Sequence, residues 1–204
     1  MIAVFGSFVV VLGAASPVAA GDDGGKVAIA EAAIGELTAS LPGLFPVQGG
    51  GQYAPVPECD VILQAEDLAA AGDEVLQAYG GESGGGSGWI VVLDSKKDAK
   101  RFFKLVNSDD AVACVIATNE VGLAPLTGGA AASGDLERGK LSGVKKSATR
   151  EGTITVGELV FSEARATVQR GNVVIFGGIS VPAGSDVGLS GIVTEWVKAT
   201  AKKY

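Results

Sequence analysis

The stretch TITVGELVFSEARATVQ (153–169), RGN (170–172), VVIFGGISV (173–181) decides the fold. Its two flanks are rich in β-branched and aromatic residues, and Arg170-Gly171-Asn172 between them is hairpin chemistry, because glycine accepts the positive φ that such a turn demands. Val173-Val174-Ile175-Phe176 has no polar alternation, which predicts a central strand covered on both faces. The cover on one face is supplied downstream. Leu189, Ile192, Val193, Trp196, Val197 and Thr200 trace one face of a helix, with its cap expected near Ser185-Asp186 and with Lys198, Lys202 and Lys203 complementing the dipole of its last turns.

Upstream, the pattern alternates between helices and strands. Ala30, Ala33, Ile34, Leu37 and Leu41 recur at helical spacing, which predicts a helix over 26–41 ended by Leu41-Pro42-Gly43. A Pro- and Gly-rich loop then leads to Cys59, and Val61, Ala65, Leu68 and Ala69 predict a short helix closed by Gly72. Strands are expected over 74–79 and 89–94, joined by Gly80–Gly88 as a mobile hairpin tip; no phosphate-binding loop is read there, since no Gly-Lys-Ser/Thr ending follows. Asp94-Ser95 with Asp98 caps a helix whose apolar face is Ala99, Phe102, Phe103 and Val106. A short helical turn from Ser108-Asp109-Asp110 leads to Cys114, and 119–135, rich in Ala, Gly and Ser, reads as a surface excursion. The class that follows is α+β: a mainly antiparallel β-sheet with helices packed on it and one disulfide.

The chain has 204 residues, 47% of them hydrophobic, enough for one domain with a sizeable core. Ile2 to Ala15 form an uncharged apolar run, and Val18-Ala19-Ala20 supplies the small residues of a cleavage site. The expected organisation is therefore a signal peptide over 1–20 and a single exported domain over 21–204. Two cysteines fit an oxidising compartment, and Cys59–Cys114 is the one bridge they can form. With no C-x-x-C and no third ligand type nearby, the pair reads as structural, and no metal or cofactor is expected.

Sixteen Lys and Arg against 23 Asp and Glu give a net charge of −7, which argues against nucleic acid as a partner. The absence of histidine removes Ser-His-Asp and Cys-His catalysis and imidazole metal sites, and no other catalytic constellation is present, so the chain is expected not to be an enzyme. The charge is unevenly spread. Residues 21–94 carry −11, residues 95–150 carry +4, and the remainder sums to zero. The basic helix face of Lys96, Lys97, Lys100, Arg101 and Lys104, with Arg138, Lys140, Lys145, Lys146 and Arg150, is a candidate surface for an anionic ligand. Lys100, Arg101, Arg165 and Arg170 are the candidate ligand-binding residues.

The order of these parts carries a resemblance. A helix ending in Leu-Pro, Pro57-Glu58-Cys59, a glycine-rich joint, Val92-Leu93-Asp94-Ser95 ahead of Asp98-Ala99 and Phe102-Phe103, Cys114, and Arg170-Gly171-Asn172-Val173-Val174 before a last helix resembles the exported sensor-like domains of actinobacteria, the group that includes the extracellular domains of PknH-type Ser/Thr kinases. The resemblance implies an antiparallel sheet with flanking helices, a cleft for a small ligand, and a binding or signalling role in the cell envelope, outside the membrane. It supplies no catalytic residues. Any signal would pass to a separate membrane partner. The expectation is thus an exported, non-catalytic ligand-binding or sensor-like module for a small or anionic envelope ligand, with a protein-interaction or envelope structural protein as the alternative.

Overall fold

The computed structural model describes residues 24–47, 56–82, 84–185 and 188–204; the leader reading falls on residues outside these. In chain order the elements are helix α1 (Gly24–Ser40), strand β1 (Phe45–Val47), a 3-10 turn (Pro57–Cys59), α2 (Asp60–Ala70), β2 (Asp73–Gly81), β3 (Gly84–Val92), α3 (Lys96–Val106), α4 (Asp109–Thr127), β4 (Ala132–Gly139), β5 (Ser147–Val156), β6 (Leu159–Arg170), β7 (Val173–Pro182) and α5 (Leu189–Ala201). The strands form one sheet in the order β1-β2-β3-β7-β6-β5-β4, and every neighbouring pair is antiparallel. The fold is α+β, an antiparallel sheet with helices on both faces and one disulfide between Cys59 and Cys114, whose Cα atoms are 4.6 Å apart.

The deciding hairpin is as expected: Gly171 turns at φ 57°, and β7 lies at the centre of the sheet between β3 and β6. The long run 153–169 is not one strand. Gly157, at φ 61°, reverses the chain between β5 and β6 where its composition offers no other break. The cap of α5 also differs, since Gly188, left-handed at φ 62°, begins the helix without a side-chain cap.

The two faces are built differently. On the first, α1 and α5 lie on a continuous core in which Ile34 and Leu37 meet Ile90, Ile175, Ile179, Val193, Trp196 and Val197. This core explains why most of the expected hairpin tip is sheet: Gly80 and Gly81 end β2, and Gly84–Gly88 are buried strand residues of β3. Gly88 pairs directly with Gly177, and a Cβ on Gly88 would come to 2.6 Å from Leu37 Cδ2, a Cβ on Gly177 to 2.6 Å from Val193 Cγ1. The helices occupy the space that side chains would need, so glycine is retained for close approach despite its poor β propensity.

The second face carries two separate cores. Ala65, Ala69, Ala99, Phe102 and Val106 of α2 and α3 pack on Val91 and Val174, with Trp89 edge-on to Phe102 at a centroid distance of 5.0 Å. Leu123 of α4 packs on Leu136, Ile154, Val156 and Phe161. The expected surface excursion 119–135 is therefore half of α4, capped by Ser108 and ended by left-handed Gly128, followed by β4. Its alanines are strong helix formers, and the helix was hidden because its apolar residues do not keep to one narrow stripe.

Candidate functional site

The structure joins the basic segments at one end of the sheet through a buried glutamine. Gln169, 3% exposed, donates from Nε2 to the Gly171 carbonyl at 3.0 Å and to the Lys96 carbonyl at 3.5 Å, and its backbone N–H donates to the Lys146 carbonyl at 3.0 Å. One side chain and its backbone thus hold together the first turn of α3, the β6–β7 turn and the loop that enters β5. Asn172 strengthens the same junction: its side chain donates to the Leu93 carbonyl at 2.6 Å, and its own carbonyl accepts from the Leu93 N–H at 2.9 Å. Ser147 shapes the loop before β5, accepting from the Leu141 N–H and donating to the Val144 carbonyl, both at 3.0 Å.

The result is a basic end in which Lys96 and Lys97 of α3, Lys145 and Lys146, and Arg170 are all exposed around Gln169. Lys100, Arg101 and Lys104 continue it along the outer face of α3. Lys26 reaches the same place, donating to Asn172 Oδ1 at 3.1 Å. Among the described residues, none of the α3 cations, Lys145, Lys146 or Arg170 is in an ion pair. The nearest acids in sequence are Asp94, which is exposed, and Asp98, which is engaged with the Ser95 cap. Mostly lysine, this surface suits spread negative charge more than bidentate recognition of one carboxylate.

Two other candidate sets lie elsewhere. Arg165 and Arg170 are five residues apart on β6, so the pleat turns them to opposite faces. Arg165 points to the second face and donates from Nε and Nη2 to Glu163 Oε1 at 2.8 and 2.7 Å, with the Glu163 side chain only 2% exposed. It is therefore not part of the basic end. Arg138 and Arg150 are also withdrawn from it, because both bind Asp109 at the start of α4; Arg150, buried, adds bonds to the Leu136 and Asn107 carbonyls. The Arg150 hydrogen bond first, and then the Arg138 charge, hold the Asp109 carboxyl below the usual carboxylate range. These two arginines clamp the α3–α4 junction to β4 and β5. Asp109 lies in the first turn of α4, where its charge meets the helix dipole, and the capping side chain is that of Ser108. Gln169 and Asn172 were not among the sequence candidates, and only Asn172, as a turn residue, left any trace there.

A carboxyl pair stands apart from these cations. Glu66 of α2 is half-buried and has its pKa pushed up to about 7, by burial first and then by the charges of Glu74 and Asp67. Glu74 in turn accepts from Trp89 Nε1 at 2.8 Å.

No protein-family model matches the chain, and no curated protein matches it. Among solved structures it is similar to the crystal structure of the extracellular domain of PknH from Mycobacterium tuberculosis, with a TM-score of 0.48 and 14% sequence identity over 93% of this chain and 100% of that one. A likeness of that degree transfers neither a site nor an activity.

Proposed function

We propose that the chain is an exported, non-catalytic ligand-binding module that takes an anionic component of the cell envelope on its basic end, at Lys96, Lys97, Lys100, Arg101, Lys145, Lys146 and Arg170. The observation that supports the reading is the Gln169 junction, which ties the backbones of three basic segments together at one end of the sheet in a protein whose net charge is −7. Concentrating positive charge against that overall balance costs self-repulsion, and an anionic ligand relieves it. The Cys59–Cys114 bridge supports an oxidising compartment, and the apolar run Ile2–Ala15 supports export. Among the described residues no helix is long and apolar enough to cross a membrane, and any signalling role is proposed to run through a separate membrane partner. Interaction through an apolar patch is less well supported, because the exposed large hydrophobics Phe45, Leu63, Val121, Leu126 and Val160 are distributed over four elements.

Binding to polyphosphate and to phosphatidylglycerol vesicles, with phosphatidylcholine vesicles as the neutral control, tests the proposal and separates a soluble polyanion from a lipid surface. Affinity for one of the anionic probes should fall steeply with added salt. Replacing Lys96, Lys97, Lys145 and Lys146 together by Ala should weaken it at least about tenfold, at about 1 kcal/mol per lysine near an anionic surface, with folding intact because all four are exposed. Unchanged affinity in that variant, or binding to neither probe, overturns the reading.

A further inference from the structure

The start of α1 lies at the basic end of the sheet. Lys26 donates from Nζ to Asn172 Oδ1 in the β6–β7 turn at 3.1 Å, and its own carbonyl accepts from Tyr204 Oη at 2.9 Å. These two bonds fix the place where residues 1–23 join the domain. In that part of the sequence the uncharged apolar run Ile2–Ala15 is followed by eight residues, Ser16–Asp23, and then by Gly24 at the start of α1.

Length decides which end of the sheet can meet a bilayer that holds the apolar run. Eight fully extended residues span at most about 29 Å, whereas the 12 residues of β6 extend over about 40 Å. With the opposite end of the sheet on the surface, the start of α1 would stand beyond that reach. Charge selects the same end independently. Lys96, Lys97, Lys145, Lys146 and Arg170 are exposed around the β6–β7 turn, whereas the turns at the opposite end, 81–84, 157–158 and 183–185, contain no Lys or Arg and expose Glu82 and Glu158. Asp73 and Asp94, which share the basic end, lie at its β2–β3 corner, several strand spacings from Lys145 and Lys146 ahead of β5. An anionic bilayer attracts exposed lysines within about a Debye length, roughly 8 Å at physiological ionic strength, and repels exposed carboxylates.

We propose that the basic end is a membrane-facing surface: in the chain that carries its apolar run, this end rests on the bilayer that holds the run and takes anionic lipid headgroups as its ligand. The proposal rests on the reading of the basic end as an anion-binding surface and commits that reading to a lipid source. A run of 14 residues is short against the roughly 20 that a bilayer core requires. Two weak membrane contacts on one chain reinforce each other, because the first holds the second at high effective concentration beside the surface. Gln169 prepares the second contact by tying the Lys96 and Lys146 carbonyls to the β6–β7 hairpin, so these backbone segments are already ordered before any lipid binds.

Hydrogen exchange on the full chain, residues 1–204, in phosphatidylglycerol and in phosphatidylcholine nanodiscs tests the proposal. Amides of 95–97, 141–146 and 170–172 should exchange more slowly on the anionic discs, and added salt should erase the difference. Amides at 82 and 157–158, in the opposite turns, should exchange alike on both lipids. Replacing Lys96, Lys97, Lys145 and Lys146 together by Ala should leave the chain on the discs through its apolar run but remove the slowing, with folding intact because all four side chains are exposed. Equal exchange at the basic end on both lipids, slowing at the opposite turns instead, or slowing that survives in the four-lysine variant would each overturn the proposal. Polyphosphate bound at the basic end without slowing on phosphatidylglycerol overturns the lipid assignment and leaves the anion-binding reading standing, whereas binding of neither anion overturns both.

Discussion

Gly177 shows how a residue with no side chain can fix the position of two helices. Its ideal Cβ would lie 2.6 Å from Val193 Cγ1 and 3.1 Å from Val197 Cγ2 on α5, and the Trp196 ring edge is almost as near at 3.3 Å. Trp196 is itself tied to α1 by its Nε1 bond to the Ala33 carbonyl at 2.7 Å. A valine at 177 would have to push α5 outward and break that bond geometry, so Gly177→Val is expected to destabilise by about 3 kcal/mol, the cost of overpacking a tight core. For a chain of this size that is a fall in melting temperature of roughly 10 °C, readable by calorimetry. At this scale the sequence was least legible: glycine is read as a turn because of what it does locally, whereas Gly88 and Gly177 are there because of side chains on other elements, Leu37, Ile34 and Trp196 for Gly88 and Val193, Trp196 and Val197 for Gly177. Arg165 was misleading for a related reason. Its charge is visible in the sequence, but its burial against Glu163 depends on strand parity, which composition does not reveal.

Elements were legible where one apolar face repeats. α3, with Ala99, Phe102 and Val106 buried and Ser95 accepting from the Asp98 N–H at 3.1 Å, matches its sequence pattern closely. α4 was not legible, because Asn119 is buried in mid-helix, satisfied by its own helix through the Val115 carbonyl, and Pro125 falls inside the last turn. α2 combines both cases. Its apolar residues predict a helix, but nothing in them predicts that Glu66 will share partly buried space with Glu74. The consequence is a pH dependence of definite sign. With the folded pKa near 7 and the ordinary value at 4.5, the folded state holds the Glu66 proton more tightly than the unfolded chain does. The stability from the protonated group is complete below about pH 4.5 and is lost as pH rises through about 7. Glu66→Gln, neutral throughout, should match the native protein near pH 4 and exceed it at pH 8 by about 1 kcal/mol, a figure reduced for the solvent that reaches a half-buried group. Urea unfolding at the two pH values measures this, and an unchanged difference between them would show that Glu66 titrates alike in the folded and the unfolded chain.

The whole molecule is asymmetric in how its two faces are held. One core, with α1 and α5, runs unbroken across the middle of the sheet, whereas the other face depends on two smaller cores that, among the described residues, share no side chain. The Cys59–Cys114 bridge joins these two, since Cys59 opens α2 and Cys114 lies in α4, and Thr118 reinforces α4 at that point by donating to the Cys114 carbonyl at 2.8 Å. Its sequence separation of 55 corresponds, in the chain-entropy model, to about 4 kcal/mol of stabilisation through restriction of the unfolded chain. The loss on replacing both cysteines by Ser should not be uniform. Because the second-face cores lack a common apolar contact, α2 and α4 should open before the sheet and α5 do, as a sub-global unfolding unit. Hydrogen exchange on the Cys59→Ser/Cys114→Ser protein checks this. Amides of α2 and α4 should lose protection well before those of β3, β7 and α5, while a uniform loss across all of them would mean that the bridge stabilises one cooperative core and that the division of the second face has no thermodynamic meaning.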